Sequence, residues 1–114
     1  MSKNTASNIA VFGASGSGKS TFIKRAIAKA KPARLLIWDP MQEYAEFGQV
    51  TQSLGELVAQ IAAGGKRGKF SLVYQPSSDE KTRAKQFDVF CGLAMAAGQL
   101  VLVVEELKFV TKPS

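Results

Sequence analysis

The sequence predicts an α/β domain, a three-layer sandwich with a mainly parallel sheet between helices. Two observations lead there. Short apolar runs at residues 9–12, 35–38, 70–75 and 100–104 alternate with three segments of helical periodicity. Strands joined by helical crossovers lie parallel, and the helices cover the faces of the sheet they make. The runs at 9–12 and 100–104 are also apolar without interruption, as in strands buried on both sides. At 114 residues, 46% of them hydrophobic, the chain suits a single domain with its own core.

Taken in order, residues 1–7 form a polar tail, and one domain is expected over 8–114. The first strand ends at Gly13. Beyond a glycine-rich loop, Phe22, Ile23, Ala26, Ile27 and Ala30 recur at helical spacing. Lys29 and Lys31 suit the negative end of that helix, and Pro32 stops it. The second strand, 35–38, places Trp38 in the core and closes at Asp39-Pro40, where an aspartate commonly caps a turn. Residues 40–52 are expected as a loop or short helical turn. Tyr44, within it, could stack on a base or lie at a subunit interface.

Ser53 and Glu56 stand at capping-box spacing before a second helix. Leu54, Leu57, Val58 and Ile61 form its stripe, and Gly64-Gly65 ends it. A basic turn at 64–69 leads to the third strand, closed by Pro76. Ser77 and Glu80 repeat the capping-box spacing before a third helix. Its members are Ala84, Phe87, Asp88, Cys91, Leu93, Ala94 and Met95, with Gly98 as terminator. The last strand runs straight into Glu105-Glu106.

Composition excludes several classes. There is no histidine, which removes His-based triads and His metal sites, and the lone Cys91 has no internal disulfide partner. Its apolar neighbours suggest a buried, inert thiol. No apolar run is long enough to span a bilayer and the first residues are polar, so a cytoplasmic protein without a membrane partner is expected. The net charge is +6. Residues 1–34 carry Lys3, Lys19, Lys24, Arg25, Lys29, Lys31 and Arg34 with no acidic residue. Such a bias fits either a nucleic-acid partner such as DNA or a solvated helix face.

The most specific feature is Gly13-Ala14-Ser15-Gly16-Ser17-Gly18-Lys19-Ser20. Its spacing, Gly-x-x-x-x-Gly-Lys-Ser, is that of a P-loop, or Walker A element. Glycines allow the backbone to curl so that successive N–H groups face one anion, and the following helix adds its positive end. Lys19 is expected at the β- and γ-phosphates, Ser20 on Mg²⁺, and Thr21 near the α-phosphate. ATP with Mg²⁺ is the expected ligand. The strand ending in Glu105-Glu106 has the form of a Walker B element. By position, Glu105 would take the metal role and Glu106 would prepare the attacking water.

Together with Asp39-Pro40-Met41-Gln42-Glu43-Tyr44, these two motifs resemble the HerA/FtsK group of P-loop ATPases, over residues 8–110 or so. The group includes DNA-pumping and genome-packaging motors. The resemblance implies an additional-strand P-loop NTPase, ATP hydrolysis, DNA as partner and a homo-oligomeric ring. Two departures stand out. The group's metal position usually holds Asp, where this chain has Glu105. The group also carries a later strand with a polar sensor, and an arginine acting across subunits, neither of which is found before Ser114. In the group that strand lies between the two motif-bearing strands. A domain lacking these C-terminal strands, as an incomplete copy of a longer ATPase, is therefore expected to show a gap there; a sheet closed differently is the alternative. Two other functions share the phosphate loop: a small-molecule kinase, and a nucleotide-binding module without catalysis.

Overall fold

The computed structural model describes residues 9–14, 19–65 and 68–105. Among these residues lie five strands and three α-helices, in the order β1 (Ile9–Ala14), α1 (Lys19–Ala30), β2 (Arg34–Trp38), β3 (Gln49–Thr51), α2 (Leu54–Gly64), β4 (Phe70–Tyr74), α3 (Glu80–Ala97) and β5 (Leu100–Glu105). The strands form one sheet in the order β1-β5-β2-β4-β3, and every pairing among them is parallel.

Alternation along the strands builds the three layers. Leu36 and Trp38 of β2, Leu72 and Tyr74 of β4, and Leu100 and Leu102 of β5 share a core with Leu57 and Ile61 of α2 and Phe90 and Ala94 of α3. Leu35 and Ile37, Val73 and Val103 pack on the opposite face with Ile23 and Ile27 of α1. Successive strand side chains point to opposite faces, so a strand with helices on both sides must be apolar throughout. Trp38 lies in the core as expected, its ring centroid 4.9 Å from that of Phe87 and 5.1 Å from that of Phe90.

The gap expected in mid-sheet is not there. β1 bonds directly to β5, register partners running from Ile9–Leu100 to Ala14–Glu105. Unpaired backbone groups inside a sheet are costly, and closing the two strands together removes that cost. A second departure is β3, a short edge strand within the segment expected as loop. The helical turn expected there also exists, as one turn of 3₁₀ helix at Ala45–Phe47. β3 is held by pairing with β4 rather than by an apolar pattern of its own: two of its three residues are exposed.

That edge depends on Gly48. A Cβ built there would stand 2.5 Å from the carbonyl oxygen of Ser71 and 2.6 Å from its carbon, both backbone atoms of β4. Gly48→Ala is expected to push β3 off the sheet and destabilise the domain by about 1–3 kcal/mol, as overpacking does. A urea melt of the variant checks this; an unchanged midpoint would show that β3 contributes nothing.

The helix boundaries follow local chemistry, with corrections. Ser53 caps α2 as expected, its Oγ accepting from the Glu56 amide at 3.1 Å. The Glu56 carboxylate, however, accepts from Thr51 Oγ1 at 3.0 Å instead of closing the box. At α3 the cap is Asp79, not Ser77: its carboxylate accepts from the Thr82 amide and hydroxyl, at 2.9 and 2.7 Å. Asp79 offers the same three-residue reach with a full negative charge at the helix's positive end. The Thr82 bonds hold its carboxyl below the usual range. Gly65 and Gly98 end α2 and α3 with φ of 64° and 65°, a region open to glycine at little cost. Phe22, Val58 and Met95 were expected on the buried stripes of their helices and are exposed, Phe22 at 72%. Each helix meets the sheet along a narrower line than its apolar content suggests.

Candidate functional site

The carboxyl ends of parallel strands gather at one edge of a sheet, the usual place for ligands in open α/β folds. At that edge lie Ala14 at the end of β1, Glu105 at the end of β5 and Asp39 just beyond β2. Ala14 and Glu105 are register partners on adjacent strands, as are Gly13 and Val104. Lys19 and Ser20 are the first two residues of α1, and Thr21 follows, exposed. The expected phosphate loop is thus bracketed by a strand end and a helix start. Its central residues, Ser15, Gly16, Ser17 and Gly18, lie outside the described residues, as does Glu106.

Glu105 is 4% exposed, and its Oε1 accepts a hydrogen bond from the Tyr44 hydroxyl at 2.9 Å. Tyr44 is fully buried. Neither role open to it from sequence, stacking on a base or facing another subunit, fits a side chain inside the domain. The Nζ of Lys24 sits 5.1 Å from the centre of its ring, a cation–π contact.

Asp39 is also fully buried, and it caps the turn after β2. Its Oδ1 accepts from the Glu43 amide at 2.8 Å and its Oδ2 from the Tyr44 amide at 3.0 Å. Its carbonyl accepts from the Gln42 amide at 3.2 Å. Gln75, one residue past β4, donates to Asp39 Oδ2 at 3.5 Å. The expected turn cap is therefore present, and it aims Tyr44. Sequence reading missed the roles of Tyr44, Lys24 and Gln75. No local pattern marks them, since each acts on a residue distant in the chain.

Two further expectations can be placed. Cys91 is half-buried, and burial followed by the charge of Asp88 pushes its thiol up, which suits an inert side chain. Of the basic residues before residue 35, Arg25, Lys29 and Lys31 are exposed, whereas Arg34 is buried and serves the core.

Whether the site suits Mg²⁺ can be judged from its donors. Among the described residues, no group of three His, Cys, Asp or Glu side chains converges as a metal cage. Mg²⁺ bound with nucleotide needs none, because it takes one or two protein oxygens and completes its shell from phosphate and water. A buried carboxylate beside the strand that leads to the loop fits that requirement. Among the described residues, no helix is long and apolar enough to cross a membrane.

A wholly parallel sheet covered on both faces, with a glycine-rich strand-to-helix connection beside a strand-terminal carboxylate, defines an α/β domain of the P-loop NTPase class. The chain matches the central domain of the HerA helicase over residues 2–109 and belongs to that family. Membership brings the ATP-binding, NTPase-like character of the family. No curated protein and no solved structure matches the sequence.

Proposed function

We propose that this domain binds ATP with Mg²⁺ and hydrolyses its β–γ phosphoanhydride bond, in a homo-oligomeric assembly that acts on DNA. The observation that carries the reading is that β1 and β5 end at the same edge of the sheet. Their pairing makes Ala14, which leads into the phosphate loop, a neighbour of Glu105 there. Backbone amides of residues 14–19 and the ammonium of Lys19 stabilise phosphate charge, and Thr21 lies near the α-phosphate. The first-turn amides of α1, which lack partners within the helix, add to the same positive region.

Ser20 and Glu105 hold Mg²⁺, which when bound neutralises charge building on the phosphate oxygens. Glu106 orients water in line with the bond to be broken and takes its proton. The exposed cations Arg25, Lys29 and Lys31 suit a DNA partner through sequence-independent phosphate contacts. The HerA family supports this reading by analogy.

The test measures ATP affinity and phosphate release together, with Mg²⁺ and with and without duplex DNA. Binding accompanied by Mg²⁺-dependent phosphate release is expected. Binding without release under any of these conditions would turn the reading into a nucleotide-binding module. Transfer of phosphate to an added small acceptor would turn it into a kinase.

A further inference from the structure

We infer that Tyr44 is a positioning residue for Glu105, holding the carboxylate in the orientation in which it meets Mg²⁺. This rests on the metal role proposed above for Glu105. The link joins two parts of the chain 61 residues apart, the Asp39–Tyr44 turn and the end of β5. The Tyr44 hydroxyl donates to Glu105 Oε1 at 2.9 Å, with both side chains buried.

The tyrosine itself has little freedom. Asp39 holds its amide at 3.0 Å, and the Tyr44 carbonyl accepts from the Phe47 amide at 3.0 Å. Its ring packs into the α1-side core with Ile23, Ile27 and Val103. Lys24 covers the ring at 5.1 Å. A hydroxyl fixed by backbone at both ends and by packing around its ring is a rigid donor.

Glutamate needs such a donor more than aspartate does. Its extra methylene adds a rotatable bond, so an untethered carboxylate samples more directions and loses more entropy when one is selected. A hydrogen bond from a fixed phenol selects one direction before any ligand arrives. Carboxylate ligands are commonly oriented this way by a neighbouring donor, and losing the donor weakens metal affinity about 10–100-fold.

The experiment measures equilibrium binding of a fluorescent, non-hydrolysable ATP analogue to the whole chain, first in EDTA and then as Mg²⁺ is titrated. Tyr44→Phe keeps the ring, its packing and the Lys24 contact, and removes only the hydroxyl. It is expected to raise the Mg²⁺ concentration for half-maximal tightening about tenfold and to leave affinity in EDTA unchanged. Glu105→Gln is expected to raise that concentration as well, and the double variant to match Glu105→Gln alone, because a residue acting through another adds nothing once the other is gone.

Glu105→Asp supplies a second test, made with and without the Tyr44 hydroxyl. Shortened by a methylene, the carboxylate depends less on the hydroxyl, so Tyr44→Phe is expected to shift the Mg²⁺ midpoint less in the Glu105→Asp background than in the parent. A normal midpoint for Tyr44→Phe beside a raised one for Glu105→Gln overturns the inference alone, as does an effect of Tyr44→Phe that is as large in the Glu105→Asp background as in the parent. Additive effects in the double variant with Glu105→Gln do the same. A normal midpoint for Glu105→Gln instead removes the metal role itself, and the inference falls with it.

Discussion

Lys19→Ala is expected to weaken ATP binding about 10–100-fold while leaving the fold intact. On the proposed reading, the ammonium of Lys19 is the one full positive charge that the loop brings to the β- and γ-phosphates. A charge-assisted bond to phosphate contributes about 1.5–3 kcal/mol, and each 1.4 kcal/mol is tenfold in affinity. The fold should survive because Lys19 is the opening residue of α1, where alanine is at least as good a helix former. None of the residues that dock α1 on the sheet is altered, since Ile23 and Ile27 carry that contact. Titration with a fluorescent ATP analogue, alongside circular dichroism, checks both halves. An unchanged affinity in a folded variant would remove the phosphate loop, and with it the ATPase reading.

Arg34→Met is expected to have the largest effect on stability, about 3–5 kcal/mol. Arg34 is 6% exposed, and its guanidinium ties together the ends of two helices. Nη1 donates to the carbonyls of Gly65 and Gly68, at 3.1 and 2.7 Å. Nη2 donates to those of Ala97 and Gly98, at 3.2 and 3.4 Å. The group also stacks over Phe70, 4.6 Å from the ring centre. The carbonyl ends of α2 and α3 carry the negative ends of their dipoles, so one cation compensates both.

Methionine fills similar space but donates nothing, leaving these carbonyls without their donor. Each buried carbonyl left without its donor costs about 1–3 kcal/mol, and the ends of α2 and α3 each lose at least one. For a domain of this size each kcal/mol lowers the melting temperature by about 4–8 °C, so a thermal melt reads the effect directly. A melting temperature within a degree or two of the parent would show the clamp to be incidental.

Arg34 also shows where sequence reading stops. Read along the chain, it is one of seven basic residues before position 35 and counts toward a surface that attracts polyanions. In three dimensions it starts β2 and spends its charge on the carbonyls at the ends of α2 and α3. Charge counting assumes exposure, and exposure is a tertiary property. Tyr44 fails in the same way: an aromatic in a polar loop looks free to bind something, whereas this one is buried against α1 and bonded to Glu105. The Ser77–Glu80 pair misled for a local reason. Asp79 has the same three-residue reach to Thr82, and only the observed helix start distinguishes the two caps.

What was legible is physically coherent. Strands buried on both faces must be apolar at successive positions, so β2 and β5 announced themselves. Helix ends marked by glycine at 65 and 98 need positive φ, which few other residues adopt at low cost. The Gly13–Ser20 motif is recognisable because the chemistry proposed for it, cradling a phosphate, uses contiguous residues. β3 left no comparable mark, because its stability comes from bonds to β4 and from the close approach at Gly48, neither of which requires an apolar pattern.

Sequence alone therefore determined the class of domain and the glycine ends of α2 and α3, because apolar runs and helix terminators are written in residues close in the chain. Tertiary structure decided that β1 lies directly against β5, that Arg34 clamps two helices and that Tyr44 reaches Glu105. Those outcomes turn on which backbone groups and charges are left to be satisfied once the layers close, and neighbours brought together across 30 to 90 residues leave no periodic trace in a sequence.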